Sequence, residues 1–232
     1  MSATRLDMST ASLRDVNSAL HAAKSGSFEI INPRGAHAIA AGITTDITVD
    51  VADSVGYYSA GMNQVGTVRI EGNAGTGLAE NMMSGLVHIT GSATMSAGAS
   101  GHGGLLVIEG NAGARCGISM KGIDIVVGGN VGHMSAFMGQ AGNLVVLGDA
   151  DADLGDSLYE PNIFVRGDVA SLGADCVEKE LRAEHVETLT HLLGSSGMTA
   201  SPSDFRRYGS ARQLYNFHPD DIDAELAEEG LT

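Results

Sequence analysis

Glycine recurs every nineteen residues at Gly72, Gly91, Gly110, Gly129, Gly148 and Gly167, and a period that strict leaves only repeat architectures open. Two residues before each glycine stands Ile70, Ile89, Ile108, Val127, Val146 or Val165, and two before that Val68, Val87, Leu106, Ile125, Leu144 or Ile163. Alternate residues of a strand share a face, so both columns point into one core, and β-branched side chains suit that setting. The residue after each glycine is Asn73, Ser92, Asn111, Asn130, Asp149 or Asp168, short polar side chains that favour a corner. Two small-residue columns follow, Ala74, Ala93, Ala112, Val131, Ala150, Val169 and then Ala79, Gly98, Gly117, Ala136, Gly155, Ala174. Strand, corner and small positions recurring together describe one unit stacked on copies of itself.

The predicted fold is therefore all-β, a single-stranded parallel β-helix with 19-residue coils. Val49, Val51, Val55 and Ala60 continue the frame one coil earlier, and Ile30, Ala36 and Ala41 another. About seven or eight coils at about 4.8 Å spacing make a prism roughly 35 Å long. The opening glycine at Gly66, Gly85, Gly104 and Gly142, replaced later by Pro161, shifts by one to Gly122, which calls for a β-bulge. The small-apolar hexapeptide pattern of left-handed helices is missing, so the right-handed form is expected. With 32 glycines and only 4% aromatic residues, the composition suits close backbone layers and excludes a helix bundle.

Open sheet ends template aggregation and need covers. Leu13, Val16, Leu20 and Ala23 follow helical spacing between Ser12 and Gly26, and Val177, Leu181, Val186, Leu189, Leu192 and Leu193 form a second stripe ending at Gly194. The expected organisation is an N-terminal helical cap (1–27), the β-helix (28–176), a C-terminal helix capping the other end (177–194), and a linker with a C-terminal arm (195–232). Within that last part Phe205, Arg206, Arg207, Tyr208, Arg212, Tyr215 and Phe217 concentrate aromatics and arginines in a chain poor in both, the types enriched at interface cores. Two readings stay open for it, a partner-gripping arm or a tail folded back on its own domain.

A net charge of −15 argues against nucleic acid or an anionic membrane as partner. No signal-like core or long apolar run is present, and two cysteines are too few for a disulfide framework, so a cytoplasmic setting is expected. The glycine-rich runs from Gly72 and Gly98 lack the strand–turn–helix context of a dinucleotide loop. Asp149, Asp151, Asp153 and Asp156 lack the distal glutamate of a calcium loop and read as solvated turns. His88, His102 and His133 occupy different coil columns, while His21, His185 and His191 fall on the expected helices, so no metal cluster is predicted. Cys116 shares a column with Leu78, Ala97, Ser135 and Leu154 and reads as a small buried residue. No catalytic, cofactor-binding or metal-binding residue is assigned.

Coils of the form Val-Arg-Ile-Glu-Gly-Asn-Ala-Gly, followed by Met83-Ser-Gly85 or Met120-Lys-Gly122, resemble the Gly-x-Gly-x-Gly domain that closes the glutamate synthase large subunit, over about residues 28 to 176. Gly56-Tyr-Tyr58, Ala114-Arg-Cys-Gly-Ile-Ser119, Gly132-His-Met-Ser-Ala-Phe-Met138, Gly155-Asp-Ser-Leu-Tyr-Glu160 and Arg206-Arg-Tyr-Gly-Ser-Ala-Arg212 resemble more closely the free-standing small β-helix subunit of N-methylglutamate synthase, also called methylamine-glutamate N-methyltransferase, and related rhizobial glutamate-synthase-like proteins. That resemblance implies a non-catalytic chain in a complex converting methylamine and glutamate to N-methylglutamate and ammonia. Its partners would be a glutamine-amidotransferase-like chain and an FMN-binding, iron–sulfur-containing chain. No cysteine follows Met1 to serve as an amidotransferase nucleophile, and Cys116 and Cys176 cannot hold a three-iron cluster, so both chemistries fall to the partners. Two further readings remain: a scaffold subunit of a formylmethanofuran dehydrogenase-like complex, and a β-helix enzyme acting on polysaccharide.

Overall fold

The computed structural model describes residues 3–211. Its sheet runs through β1 (Thr4–Asp7), β2 (Gly26–Ile31), β3 (Ile47–Val51), β4 (Thr67–Ile70), β5 (Leu86–Ile89), β6 (Leu105–Ile108), β7 (Lys121–Val127), β8 (Ala141–Val146), β9 (Asn162–Val165), β10 (Cys176–Lys179) and β11 (Arg206–Ser210). Their spatial order is β1 to β9 in sequence, then β11, then β10. Every pairing up to β9 is parallel, and the last two are antiparallel. The chain is a parallel β-helix with seven turns between β2 and β9. The register Val68↔Val87↔Leu106↔Ile125↔Leu144↔Ile163 reproduces the inward column, and all six residues are fully buried.

The corner column holds the coils together by a ladder of side chain to backbone hydrogen bonds. Asn73 Oδ1 accepts from Ser92 N at 2.8 Å, Ser92 Oγ from Asn111 N at 3.0 Å, Asn111 Oδ1 from Asn130 N at 2.8 Å, and Asn130 and Asp149 continue it to Asp168. These side chains occupy the space a Cβ would need at the neighbouring glycine column: at Gly91 it would lie 2.5 Å from Asn73 Oδ1 and 2.6 Å from Gly72 C. The strict glycine period is thus a close-approach requirement imposed by the corner below. Ala74, Ala93, Ala112, Val131 and Ala150 stack beside it in parallel bridges and are buried.

The irregularity at Gly122 is a bulge: Lys121 pairs with Ala141 but Asp124 with Asn143, one residue extra in β7. The first turn is longer than the others, with Gly26 opposite Ile47, and this moves the early frame: Ala40, not Ala41, is the fully buried equivalent of Ala60.

At the front, α1 (Leu13–Ala22) is started by Ser12 and Asp15, which cap each other's backbone amides. It presses Val16 and Leu20 onto the end of the core, and Asn17 binds Ala38 O and Ala40 N. The second helix differs from its expected range and place. Val177 belongs to β10, and α2 spans Ala183–Ser196, ending at Gly197 with φ 74°. It does not close the end of the prism. Leu189, Leu192 and Leu193 pack on the outer face of the sheet against Val126, Val145, Leu147 and Phe164, with Phe205 completing the cluster. The outward row explains the choice: Asp50, Arg69 and His88 are succeeded in register by Val107, Val126, Val145 and Phe164, an apolar half-face that needs a cover.

The end itself is closed by β11, which inserts antiparallel between β9 and β10. Phe205 and Tyr208 are 4% and 3% exposed and belong to the chain's own cores. Over residues 205–211 the folded-back tail is therefore what forms, because β9 would otherwise present an unpaired edge. Arg212, Tyr215 and Phe217 lie outside the described residues.

Candidate functional site

Between each corner and the next strand the chain forms a ribbon in which alternate residues take the left-handed region. In successive coils the triplets are Tyr58, Ala60, Met62; Gly77, Ala79, Asn81; Ser96, Gly98, Ser100; Arg115, Gly117, Ser119; Met134, Ala136, Met138; and Asp153, Gly155, Ser157, with φ between 52° and 75°. The outer two amides of a triplet donate forward, as from Tyr58 N to Thr76 O at 2.8 Å and Met62 N to Glu80 O at 2.7 Å. The middle amide donates backward, as from Ala79 N to Ser59 O at 3.0 Å and Ala136 N to Cys116 O at 2.7 Å. The backbone is thereby satisfied from coil to coil without strands. The middle column is small because it faces the core in a conformation that disfavours a branched side chain: Ala60, Ala79 and Ala136 are fully buried.

At the outer positions and at the residues flanking the triplets the ribbon exposes large apolar side chains. Tyr57 and Tyr58 are both 51% exposed, Met62 56%, Met95 49%, Met138 44%. Val65 and Met83 are exposed on the same ribbon, and Tyr159 on that of the next coil. Tyr57 stacks on His37 with ring centroids 4.5 Å apart, and His37 Nδ1 accepts from Tyr57 N at 2.8 Å, so the ring pair is fixed. A chain with a net charge of −15 carries one carboxylate, Glu80, on the ribbons of the five coils from Tyr57 to Gln140, which also carry Arg115, His102 and His133, with Lys121 opening β7 and Asp153 of the next coil 3.5 Å from His133.

The opposite, sheet-side surface is a different environment. Over β2 to β5 a groove of about 220 Å³ is lined by Glu29, Asp50, Arg69, Glu71 and His88 among others, smaller than the roughly 300–1,000 Å³ of ordinary ligand clefts. Its charges pair across coils: Arg5 with Glu29 at 3.5 Å, Arg69 with Asp50 at 3.6 Å, and His88 Nε2 with Glu109 Oε1 at 2.8 Å.

Among the described residues no buried side-chain nitrogen or oxygen lacks a hydrogen-bond partner. Ser59, Asn63 and Ser135 are fully buried, and each bonds a carbonyl three residues on or back: Gly56 O, Gly66 O and Gly132 O. Burial pushes the Cys116 thiol up to about 12 and that of Cys176 up to about 11, so neither is a thiolate at neutral pH.

The four clustered aspartates of the sequence separate in space. Asp149 is part of the corner ladder, Asp151 accepts from Ala152 N, Asp153 lies 3.5 Å from His133, and Asp156 accepts from the Ser157 hydroxyl. Among the described residues no three His, Cys, Asp or Glu are arranged to hold a metal ion. Of the aromatic and basic residues expected at an interface, Arg206 donates to Gly167 O at 2.8 Å, and Arg207 to Glu180 O at 2.9 Å and Asn162 Oδ1 at 3.0 Å. Burial raises the Tyr208 hydroxyl above its ordinary pKa. These residues secure β11. The exposed ribbon escapes sequence reasoning because its columns read as turns; the signal that could find it is Tyr and Met standing where other coils place Gly, Asn or Ser.

No helix is long and apolar enough to cross a membrane among the described residues. No family model matches the chain. It is 61% identical over 224 residues to Protein GlxC of Rhizobium meliloti (strain 1021), a match covering 94% of this chain and 98% of that protein.

Proposed function

The chain belongs to the family of Protein GlxC, and from that premise we propose that it is a non-catalytic structural subunit of a glutamate-synthase-type complex. The complex we propose is the N-methylglutamate synthase that joins methylamine to glutamate with release of ammonia. In it a glutamine-amidotransferase-like chain and an FMN-binding chain with an iron–sulfur cluster carry the chemistry, and this chain braces them in the cytoplasm. The observation that carries the reading is a filled interior beneath a surface of exposed Tyr and Met. Each coil is packed to its axis by Val, Ile and Leu, the buried polar side chains bond the backbone, and most of the large apolar residues left exposed collect along the ribbons. Protein interfaces enrich aromatic and Met side chains in this way.

Co-expression with the two proposed partner chains tests it. The expected result is one species containing all three, with flavin, in native mass spectrometry, and no methylamine-dependent turnover by this chain alone. Elution of the chain by itself, at concentrations where the other two associate, would end the proposal. The polysaccharide reading predicts measurable hydrolase or lyase activity of the isolated chain, and detecting it would replace the subunit reading.

A further inference from the structure

We propose that the left-handed ribbon from Tyr57 to Gln140 is the docking face for a partner protein surface whose apolar anchors are ringed by carboxylates; the inference deepens the subunit reading above and rests on it. The first support is where the apolar residues stand. Of the ten large hydrophobics exposed in the described chain, seven lie on this ribbon, Tyr159 lies on that of the next coil, and Val177 and Val186 lie elsewhere.

The second is that the chain bears a double cost to put them there. Tyr58, Met62, Met134 and Met138 have φ of 57°, 55°, 57° and 54°. The same two columns are filled in other coils by Gly77, Asn81, Ser100 and Ser119, residues that enter this region easily or stay polar in water. At Tyr58, Met62 and Met138 a bulky apolar side chain adds left-handed strain to exposed hydrophobic area, and the coil-to-coil hydrogen bonds that hold the backbone there form equally with Gly, Asn or Ser in other coils. The backbone ladder therefore does not account for the side chain, and strained positions of this kind point to a function outside the fold.

The third support identifies the partner's chemistry. On the ribbons of these five coils Glu80 is the one carboxylate against Arg115, Lys121 at the start of β7, and His102, in a chain of 28 acidic residues, and the patch ends where Asp153 of the next coil meets His133 at 3.5 Å. A carboxylate-bearing surface is attracted to this ribbon and repelled by the rest of the molecule, which orients the encounter. Five coils at about 4.8 Å give a face about 24 Å tall, on the scale of one side of a standard interface. Methionine at its centre adapts to the partner's shape.

The test uses the full chain with the amidotransferase-like and FMN-binding chains, and the left-handed geometry dictates the variants. Aspartate is tolerated at positive φ, so Met62→Asp and Met138→Asp should keep the thermal midpoint while weakening the complex roughly tenfold or more. Met138→Lys should weaken it less than Met138→Asp, because the partner surface is acidic. Val186→Asp, at an exposed apolar site on α2, should leave affinity unchanged. Ribbon variants that bind as tightly as the native chain would overturn the proposal while leaving the subunit reading intact, as would equal losses for Lys and Asp. If the native chain binds neither partner, both fall together, and that result is seen before any variant is made. Should Met62→Asp instead halve the mass of the isolated chain, the face belongs to a second copy and the acidic partner is excluded.

Discussion

A single glycine column shows how residue-scale contacts set this fold. At Gly148 an added Cβ would run into Asn130 Oδ1 and stand 2.6 Å from Gly129 O, so the corner side chain and the glycine above it are one device. The Asn130 side chain also receives the Asp149 amide at 2.9 Å, a bond worth about 1 kcal/mol net. Gly148→Ala should therefore destabilise by roughly 1–3 kcal/mol in urea unfolding. Combining it with Asn130→Gly should cost less than the two separate losses, because one of the clashing atoms is gone. Additive losses would show that the ladder and the glycines are independent. The positive-φ columns obey a second local rule: Ala60, Ala79 and Ala136 are tolerated in the buried middle column because only one carbon must fit. Ala136→Val, branched at Cβ, should lose about 1–3 kcal/mol, measurable in the same unfolding experiment.

Among elements, α2 and the outer face of β7 to β9 form the second core, and a polar ladder runs beside it. Asn143 Nδ2 donates to Asp124 Oδ1 at 2.7 Å, Asn162 Nδ2 to Asn143 Oδ1 at 3.3 Å, and Arg207 Nη1 to Asn162 Oδ1 at 3.0 Å, which links β7 to β11 across four strands. Burial raises the Asp124 carboxyl above its ordinary value of 3.8, partly opposed by hydrogen bonds from Asn143 and the charge of His191. A carboxyl whose native pKa is raised favours the folded state below its unfolded pKa, and that benefit is lost as pH rises through the native value. Asp124→Asn keeps an acceptor for Asn143 without the buried charge. The variant should match the native chain near pH 3 and gain thermal stability relative to it towards pH 7. Asp7 behaves oppositely. Hydrogen bonds from Asn32 and Ser9 lower it to about 2, so its contribution is present above 3.8 and lost as pH falls through about 2. A stability gain from Asp124→Asn that is equal at pH 3 and pH 7 would contradict the assignment.

At the scale of the whole molecule, each coil is buried only by its neighbours, so the ends decide whether the stack is soluble. The front is closed by α1 and by β1, whose Arg5 bridges to Glu29. The back is closed by reversing direction, with β11 antiparallel to β9 and the charged β10 outermost. Tyr208 anchors that reversal beside Ile163. Tyr208→Ala should cost about 3–5 kcal/mol and speed amide exchange first in β9 and β11, with light scattering reporting self-association through the freed edge. Uniform loss of protection along all coils would instead mean that the solenoid unfolds as one unit.

The nineteen-residue period, the inward Val/Ile/Leu columns, the polar corner and the bulge at Gly122 were determined by the sequence alone, because each is a nearest-neighbour requirement repeated from coil to coil. The site was less legible. Left-handed backbone leaves no hydropathy pattern, and whether Tyr58, Met62 and Met138 face solvent or core depends on which way the ribbon turns. Folding over distance was likewise beyond the reach of local pattern. The placement of α2 on the side of the sheet, and of Phe205 and Tyr208 inside the chain's own cores, follows from an apolar outer half-face and an open β9 edge that exist only once the coils have stacked. Local chemistry thus wrote the repeat, and three-dimensional packing decided which of its surfaces were consumed internally and which were left exposed.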